Sequence, residues 1–312
     1  MGDFLSGLGE KLAERWLTLL VLPGALYIAA VVAAPTLGHA HALDASRLTH
    51  QIAVWAKSPT VTTVSGQIIL LAAILASAAA AGLAAQALGR IIEILILAAD
   101  WRAWPGWVRD FVGWRVDKRR DRWDSAYAAY EAARTAAADA RVHGTHVDRV
   151  ARDAAYRELA RIAETRPDRP TWSGDRIHSV SIRLRDELGL DLTWAWPSLW
   201  LTLKEQVRTE ITSARTSLTR ATALAGWAVL YAPLLFWWWP AVLVTATLAV
   251  TAWRQTRTAA DTYGQLVDAA TRLHVLDLAK QLHLPHAGPA TPEIGSTLTN
   301  HLTPPAPAAP PT

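Results

Sequence analysis

The chain has 312 residues, a formal net charge of +4, sixteen tryptophans and no cysteine. Without cysteine it can carry no disulfide scaffold, thiolate metal centre or thiol nucleophile. Hydrophobic residues make up 51% of it, gathered into runs that flank an arginine-rich middle, so the basic balance has to be located before a partner is assigned to it.

Near the start, Phe4, Leu5, Leu8, Leu12 and Trp16 recur at three- and four-residue spacing, which predicts an interfacial amphipathic helix over residues 1–15. The apolar run behind it predicts a first transmembrane span over 17–36, kinked at Pro23-Gly24. A cleaved signal peptide is the alternative, because Ala40-His41-Ala42 has the small-x-small form of a cleavage site. The length of the run and the mixed charge before it favour a retained span. Residues 37–62 read as an external loop whose positive charges are Arg47 and Lys57. His39, His41, Asp44 and His50 share this loop, but nothing in their spacing fixes a coordination geometry, and no metal site is assigned.

A second span is predicted over 66–90, entered through Ser58-Pro59-Thr60. Ser77, Ala81, Ala85 and Gly89 recur at every fourth position, with Ala78 and Gly82 beside them. Such a small-residue seam lets helix backbones approach closely, onto the first span or between subunits. Arg90 and Glu93 lie one turn apart at the end of this span. As an intramembrane pair they would mark a transport path; as boundary residues they snorkel to the surface.

Residues 101–215 read as a helical cytosolic domain. It opens with a juxtamembrane segment in which Trp101, Trp104, Trp107, Phe111 and Trp114 alternate with Arg102, Arg109, Arg115 and Lys118. Pro105-Gly106 breaks its first turn. The excess positive charge sits here, which points to the anionic inner leaflet of the lipid bilayer rather than to nucleic acid. An alanine-rich helix over 118–141, a break at 143–145 and a partner helix over 146–165 predict an antiparallel hairpin. A shorter helix over 175–188 stops at Gly189, and Pro197 is read as opening another that runs through Arg220.

Residues 221–253 carry no formal charge and are fenced by Arg220, Arg254 and Arg257. As one helix the stretch would be about 50 Å long, against a hydrocarbon core of about 30 Å. A second transmembrane hairpin over 216–258 fits better, turning near 236–240, with a single tilted helix as the alternative. Arginine at both ends places both on the cytoplasmic side, and with them the N- and C-termini. Trp16, Trp101, Trp104, Trp107, Trp237, Trp238, Trp239 and Trp253 are the predicted membrane-interface anchors. The stripe Ala259, Tyr263, Leu266, Ala270 and Leu273 predicts a cytosolic helix over 259–284, and the Pro/Ala/Thr-rich remainder, 285–312, is read as disordered.

Residues 15–27, 170–176, 189–191 and 196–200 (RWLTLLVLPGALY, PTWSGDR, GLD and WPSLW) together resemble a family of uncharacterised actinobacterial multi-span integral membrane proteins. Residues 15–27 (RWLTLLVLPGALY) are similar to the first span of that family. Residues 170–176 (PTWSGDR), 189–191 (GLD) and 196–200 (WPSLW), with Tyr263-Gly264 and Leu273-His274, are similar to its cytoplasmic module. The usual forms there are Pro-Thr-Arg-Leu-Gly-Asn, Tyr-Gly-Leu-Asp and Trp-Pro-Arg-Leu. This chain departs from them at Trp172, Ser173, Asp175 and Ser198. The resemblance implies architecture and carries no activity.

The sequence thus predicts an all-α polytopic inner (plasma) membrane protein of four spans in two hairpins, with a helical cytosolic domain inserted between them. No phosphate loop, nucleophile elbow or zincin motif occurs, and no catalytic residue, cofactor or metal is assigned. The expected role is a membrane-anchored scaffold or interaction protein, binding a protein partner or itself. The alternative is an oligomeric transporter or channel lined by the second span.

Overall fold

The computed structural model describes residues 21–57, 63–144, 149–285 and 288–305. The predicted helix over 1–15, Trp16 and the Ser58-Pro59-Thr60 helix start lie outside the described residues. Every regular element among the described residues is helical, as expected of an all-α chain: α1 (Leu22–Leu37), α2 (Ala45–Ala56), α3 (Val64–Leu97), α4 (Gly106–Val142), α5 (Arg149–Ile162), α6 (Trp172–Leu188), α7 (Leu192–Thr202), α8 (Glu205–Tyr231), α9 (Ala241–Gln281) and α10 (Pro292–Leu302). Two of them, α3 and α8 with the 3-10 turn that follows it, are long and apolar enough to cross a membrane, while α1 is a shorter apolar helix. The chain divides into two compact units, Met1–Glu93 with Thr219–Gln255, and Ile94–Leu218 with Thr256–Thr312.

In the first unit, backbones approach through glycine. A Cβ added at Gly24 of α1 would collide with the Ala78 carbonyl of α3, and one at Gly226 of α8 with the Ala85 carbonyl. One at Gly89 would come within 2.7 Å of Ala223 Cα. The buried seam of α3 is therefore Ala78, Ala81, Gly82, Ala85 and Gly89, and it faces both α1 and α8. Ser77, expected in the seam, is exposed. An α-helix turns every 3.6 residues, so a strict four-residue repeat drifts off one face, and the contact begins one residue later.

Much of the predicted external loop is helical. Asp44 caps α2, its carboxylate accepting from the backbone N–H groups of Ser46 and Arg47 at 3.1 Å each. After α8 the chain makes a 3-10 turn, Ala232–Phe236, and α9 begins at Ala241, so residues 221–253 are not one continuous helix. The Trp238 indole donates to the Ala42 carbonyl at 2.9 Å, and Tyr27 meets Tyr231 edge-on with ring centres 5.2 Å apart.

In the second unit, α4 and α5 form an antiparallel pair. Trp123 donates to the Ala163 carbonyl while Tyr130 packs on Tyr156, so partners descend along α5 as they ascend along α4. The predicted break at Pro105-Gly106 falls at the start of α4, which then runs unbroken from Gly106 through the helix expected over 118–141; Pro105 stands before its first turn, where the missing N–H costs nothing. Leu218 packs with Ala259 and Ala260, positions nearly equidistant in sequence from Trp238, so α9 folds back along α8. The main core joins Leu184 of α6, Leu199 of α7, Val275 of α9 and Leu298 of α10.

Two expectations fail in this unit. Pro197 does not open a helix; it lies inside α7, which starts at Leu192 under the Asp191 cap, and the chain breaks before α8 at Glu205. The Asp191 carboxylate accepts from the Thr193 N–H at 2.9 Å, a stronger start than proline supplies. The tail expected to be disordered contains α10, whose Leu298 is fully buried. Two glycines make room for it: a Cβ at Gly295 would collide with the Leu188 carbonyl, and one at Gly189 would lie 2.5 Å from the Pro292 carbonyl oxygen. Gly189 also has φ +63°, the left-handed cap that ends α6. The Thr299 hydroxyl accepts from the Asp191 N–H at 2.9 Å and donates to the Gly189 carbonyl at 3.2 Å.

Candidate interaction site

The second unit is organised around the segment between α5 and α6, residues 163–171. Thr171 caps α6, accepting from the Gly174 N–H at 3.0 Å, and donates to the Ile96 carbonyl at 2.5 Å. Gly174 lets the start of α6 lie against the last turn of α3, since a Cβ there would be 2.7 Å from the Ile96 carbonyl oxygen. Arg169 donates to the carbonyls of Ala98 and Ala99, just past the end of α3, where cationic donors answer otherwise unpaired acceptors. Ala98 is fully buried with φ +42°, a left-handed end normally left to glycine.

Asp175, in the first turn of α6, gathers the segment. Its Oδ1 accepts from the N–H groups of Asp168 and Arg169 at 2.9 and 2.8 Å, and its Oδ2 pairs with Arg119 of α4 at 2.7 Å. Burial pushes the Asp175 carboxyl above its ordinary value, against the pull of its donors. Burial likewise pushes the Arg119 guanidinium down, more than Asp175 raises it. Arg176, 6% exposed, bridges Glu164 at 3.0 Å and Asp261 at 2.6 Å. Asp168 receives Arg102 and Arg120, and its carbonyl takes the Trp101 indole at 3.0 Å. These carboxylates are engaged by arginine and backbone donors, which is the chemistry of a folded clasp rather than of an acid/base pair.

Beside the clasp, α6, α7 and α9 enclose an open apolar groove of about 320 Å³. Its walls include Ile177 and Val180 of α6, Leu192 and Trp196 of α7, and Tyr263 and Val267 of α9, with Ser181 and Thr193 as polar points. Pro197 also lines it and has no N–H to offer the Thr193 carbonyl one turn back. Burial raises the Tyr263 phenol, and the Ser181 hydroxyl is turned to the His178 carbonyl at 2.8 Å.

The residues singled out from the sequence separate into several groups. Trp101 is buried against Ala98, Val112 and Val116 and acts in the core. Trp104 and Trp238 are half-buried, whereas Trp107, Trp237, Trp239 and Trp253 are exposed. Arg90 is exposed and Glu93 buried; the Thr222 hydroxyl, which donates to the Thr219 carbonyl at 2.9 Å, lies 3.4 Å from the Glu93 carboxylate. In the α1–α2 region, His39 contacts the Phe236 carbonyl at 3.0 Å and His41 the Arg47 guanidinium at 2.7 Å. Sequence reasoning missed the arginine clasp and the groove. The signals were Thr171 and Asp175 three and seven residues beyond Asp168, and the Asp191-x-Thr193 cap that shifts Pro197 into the helix. Comparison of the chain with protein-family models, with curated proteins and with solved structures finds no match.

Proposed function

We propose that the protein is an integral membrane protein that holds a helical domain at the bilayer surface as an anchored interaction or scaffold protein. The observation that carries the reading is the exposure of α3: only 22% of its most apolar stretch is buried, and Ile68, Ile69, Leu71 and Leu83 are open. The core helix of a soluble protein buries such residues, whereas lipid satisfies them at no cost. The reading extends to four spans, with α1, α3, α8 and the start of α9 crossing the plasma membrane and both termini cytoplasmic. The apolar start of α9, residues 241–253, is only about 20 Å long, which calls for local thinning of the bilayer or snorkelling at its ends.

Single cysteines on the naturally cysteine-free chain test this. Ala53→Cys should be labelled by an impermeant reagent from outside, and Ala129→Cys and Asn300→Cys only after permeabilisation. External labelling at Asn300 would remove the second hairpin. For the role, a photo-crosslinking residue at Thr193 in the groove should trap one discrete protein partner in native membranes, and the same residue at Ala129 should not. Solute flux in proteoliposomes abolished by Glu93→Ala would replace the scaffold reading with a transporter lined by α3.

A further inference from the structure

We propose that the start of α4 carries a docking site for an anionic lipid surface; this rests on the membrane residence proposed above and names the lipid class it engages. Trp107, Phe111 and Trp114 stand at i, i+4 and i+7 and are 81%, 57% and 56% exposed. On the opposite side of the same turns, Val112 and Val116 are buried with Trp101 and Ala98. The helix is therefore already seated on its own unit by one face, and the aromatic face is left over. Phe111 and Trp114 lie against each other with ring centres 6.0 Å apart, and the Lys118 ammonium sits 5.2 Å from the centre of the Trp114 ring. Lys118 continues the stripe one turn on, and Arg115 and Arg122 follow along its edge, both exposed.

The acidic residues of these turns do not cancel that charge. Asp110 pairs with Arg109 at 3.5 Å and Asp117 with Arg120 at 3.2 Å. The edge of the stripe is then set by Arg115, Lys118 and Arg122 against Asp121. A row of large rings whose indoles want an apolar body and a wet edge, bordered by cations, matches the headgroup region of an anionic bilayer. Long basic stems reach lipid phosphates while the rings enter the acyl boundary. The location agrees, because α4 follows by a short connection on α3, a helix long and apolar enough to cross a membrane.

The test uses the full chain in lipid nanodiscs, with a spin label on one introduced cysteine and its collisions with oxygen and with a water-soluble nickel complex as the readout. In discs of phosphatidylcholine with phosphatidylglycerol, a label at Phe111→Cys should shift from nickel-accessible to oxygen-accessible, while one at Ala129→Cys stays aqueous. Adding Arg115→Gln and Lys118→Gln should return the Phe111→Cys label to nickel several-fold, as should discs of phosphatidylcholine alone. A label at Leu71→Cys reports on α3 separately. If Leu71→Cys is lipid-immersed and Phe111→Cys aqueous in both compositions, this docking site is overturned and the membrane reading stands; if both are aqueous, the membrane reading falls with it. Equal immersion in neutral and anionic discs overturns the lipid class. Shielding of Phe111→Cys from both reagents, whatever the lipid, marks a protein contact and overturns the proposal.

Discussion

Asp175→Ala is the perturbation whose consequence the geometry sets out in most detail. The Asp175 side chain is 5% exposed and answers three donors, two backbone N–H groups and Arg119, itself 17% exposed. Burial acts against both charges of the pair, so the intact pair adds little net stability. Removing one member is different, because it leaves a buried guanidinium with the Ile162 carbonyl but no counter-charge and strands two backbone donors. Breaking a buried pair by removing one partner costs about 3–5 kcal/mol, the penalty of the stranded groups included. For a unit of this size about 4 kcal/mol corresponds to a fall of roughly 8–16 °C in Tm. Asp175→Asn keeps a carbonyl for the two N–H groups but still leaves Arg119 without its counter-charge, so it should cost less than the alanine variant, at the lower end of that range, about 3 kcal/mol. Ionisation gives a second handle. With its folded pKa above the ordinary 3.8, Asp175 costs stability as pH rises through the folded value, and the Asn variant removes that dependence. Thermal unfolding of the full chain in mild detergent, followed by far-UV circular dichroism, reads the effect, with proteolysis across residues 163–171 reporting the clasp. An Asp175→Ala protein that melts with the wild type, its 163–171 segment still resistant, would refute the reasoning.

Three further outcomes follow from packing and charge. Leu298→Ala empties a fully buried site under α10 and should cost about 2–5 kcal/mol, read as faster proteolysis within Pro292–Leu302; unchanged resistance would show that α10 is not docked through Leu298. Gly226→Leu drives a side chain into the Ala85 carbonyl and the Gly89 N–H, so it should abolish a monodisperse preparation, while Gly106→Ala, which meets open space, should leave it intact. Burial, helped by Arg169, holds the His178 imidazole below its ordinary 6.5, so the unfolded chain takes up the proton first as the medium is acidified. Stability should therefore fall as pH drops below about 6.5 and level off beneath the folded value, and His178→Asn should flatten that slope in melts between pH 7.5 and 5.

Helix class was legible because periodicity reports it directly: the charge-free runs, the alanine-rich stretch after Lys118 and the stripe from Ala259 each became helix. The turn before Ala241 was legible from length alone, since one helix would be far longer than a hydrocarbon core of about 30 Å. Less visible were features that depend on what a residue meets. Ser77 and Ala78 are neighbours of equal promise in the sequence, and only the position of Gly24 decides that Ala78 enters the contact. Ile294, Leu298 and Leu302 stand four apart behind Thr291-Pro292, a helix start with an apolar stripe, yet the surrounding prolines and alanines drown the pattern. Trp101 and Trp107 were indistinguishable as juxtamembrane tryptophans; the Asp168 carbonyl takes the indole of the first, and the second is left bare.

The clasp bears on where function can reside. In the segment 170–176, Thr171 caps α6 and reaches Ile96, Gly174 admits the α3 backbone, Asp175 ties the preceding segment and Arg176 joins Glu164 to Asp261. Polar residues fully engaged in holding a fold are poorly placed to do chemistry, because each proton or ligand they took would be won against a stabilising bond. What remains open to a partner is shape and apolar surface: the groove between α6, α7 and α9, and the aromatic stripe that opens α4. On the reading proposed above such surfaces act by binding, the groove through an apolar segment of a protein and the stripe through a bilayer. If the proposed spans hold the domain at the bilayer, it gains specificity from where it is held, and truncating them should abolish its role in the cell while the isolated helices still fold.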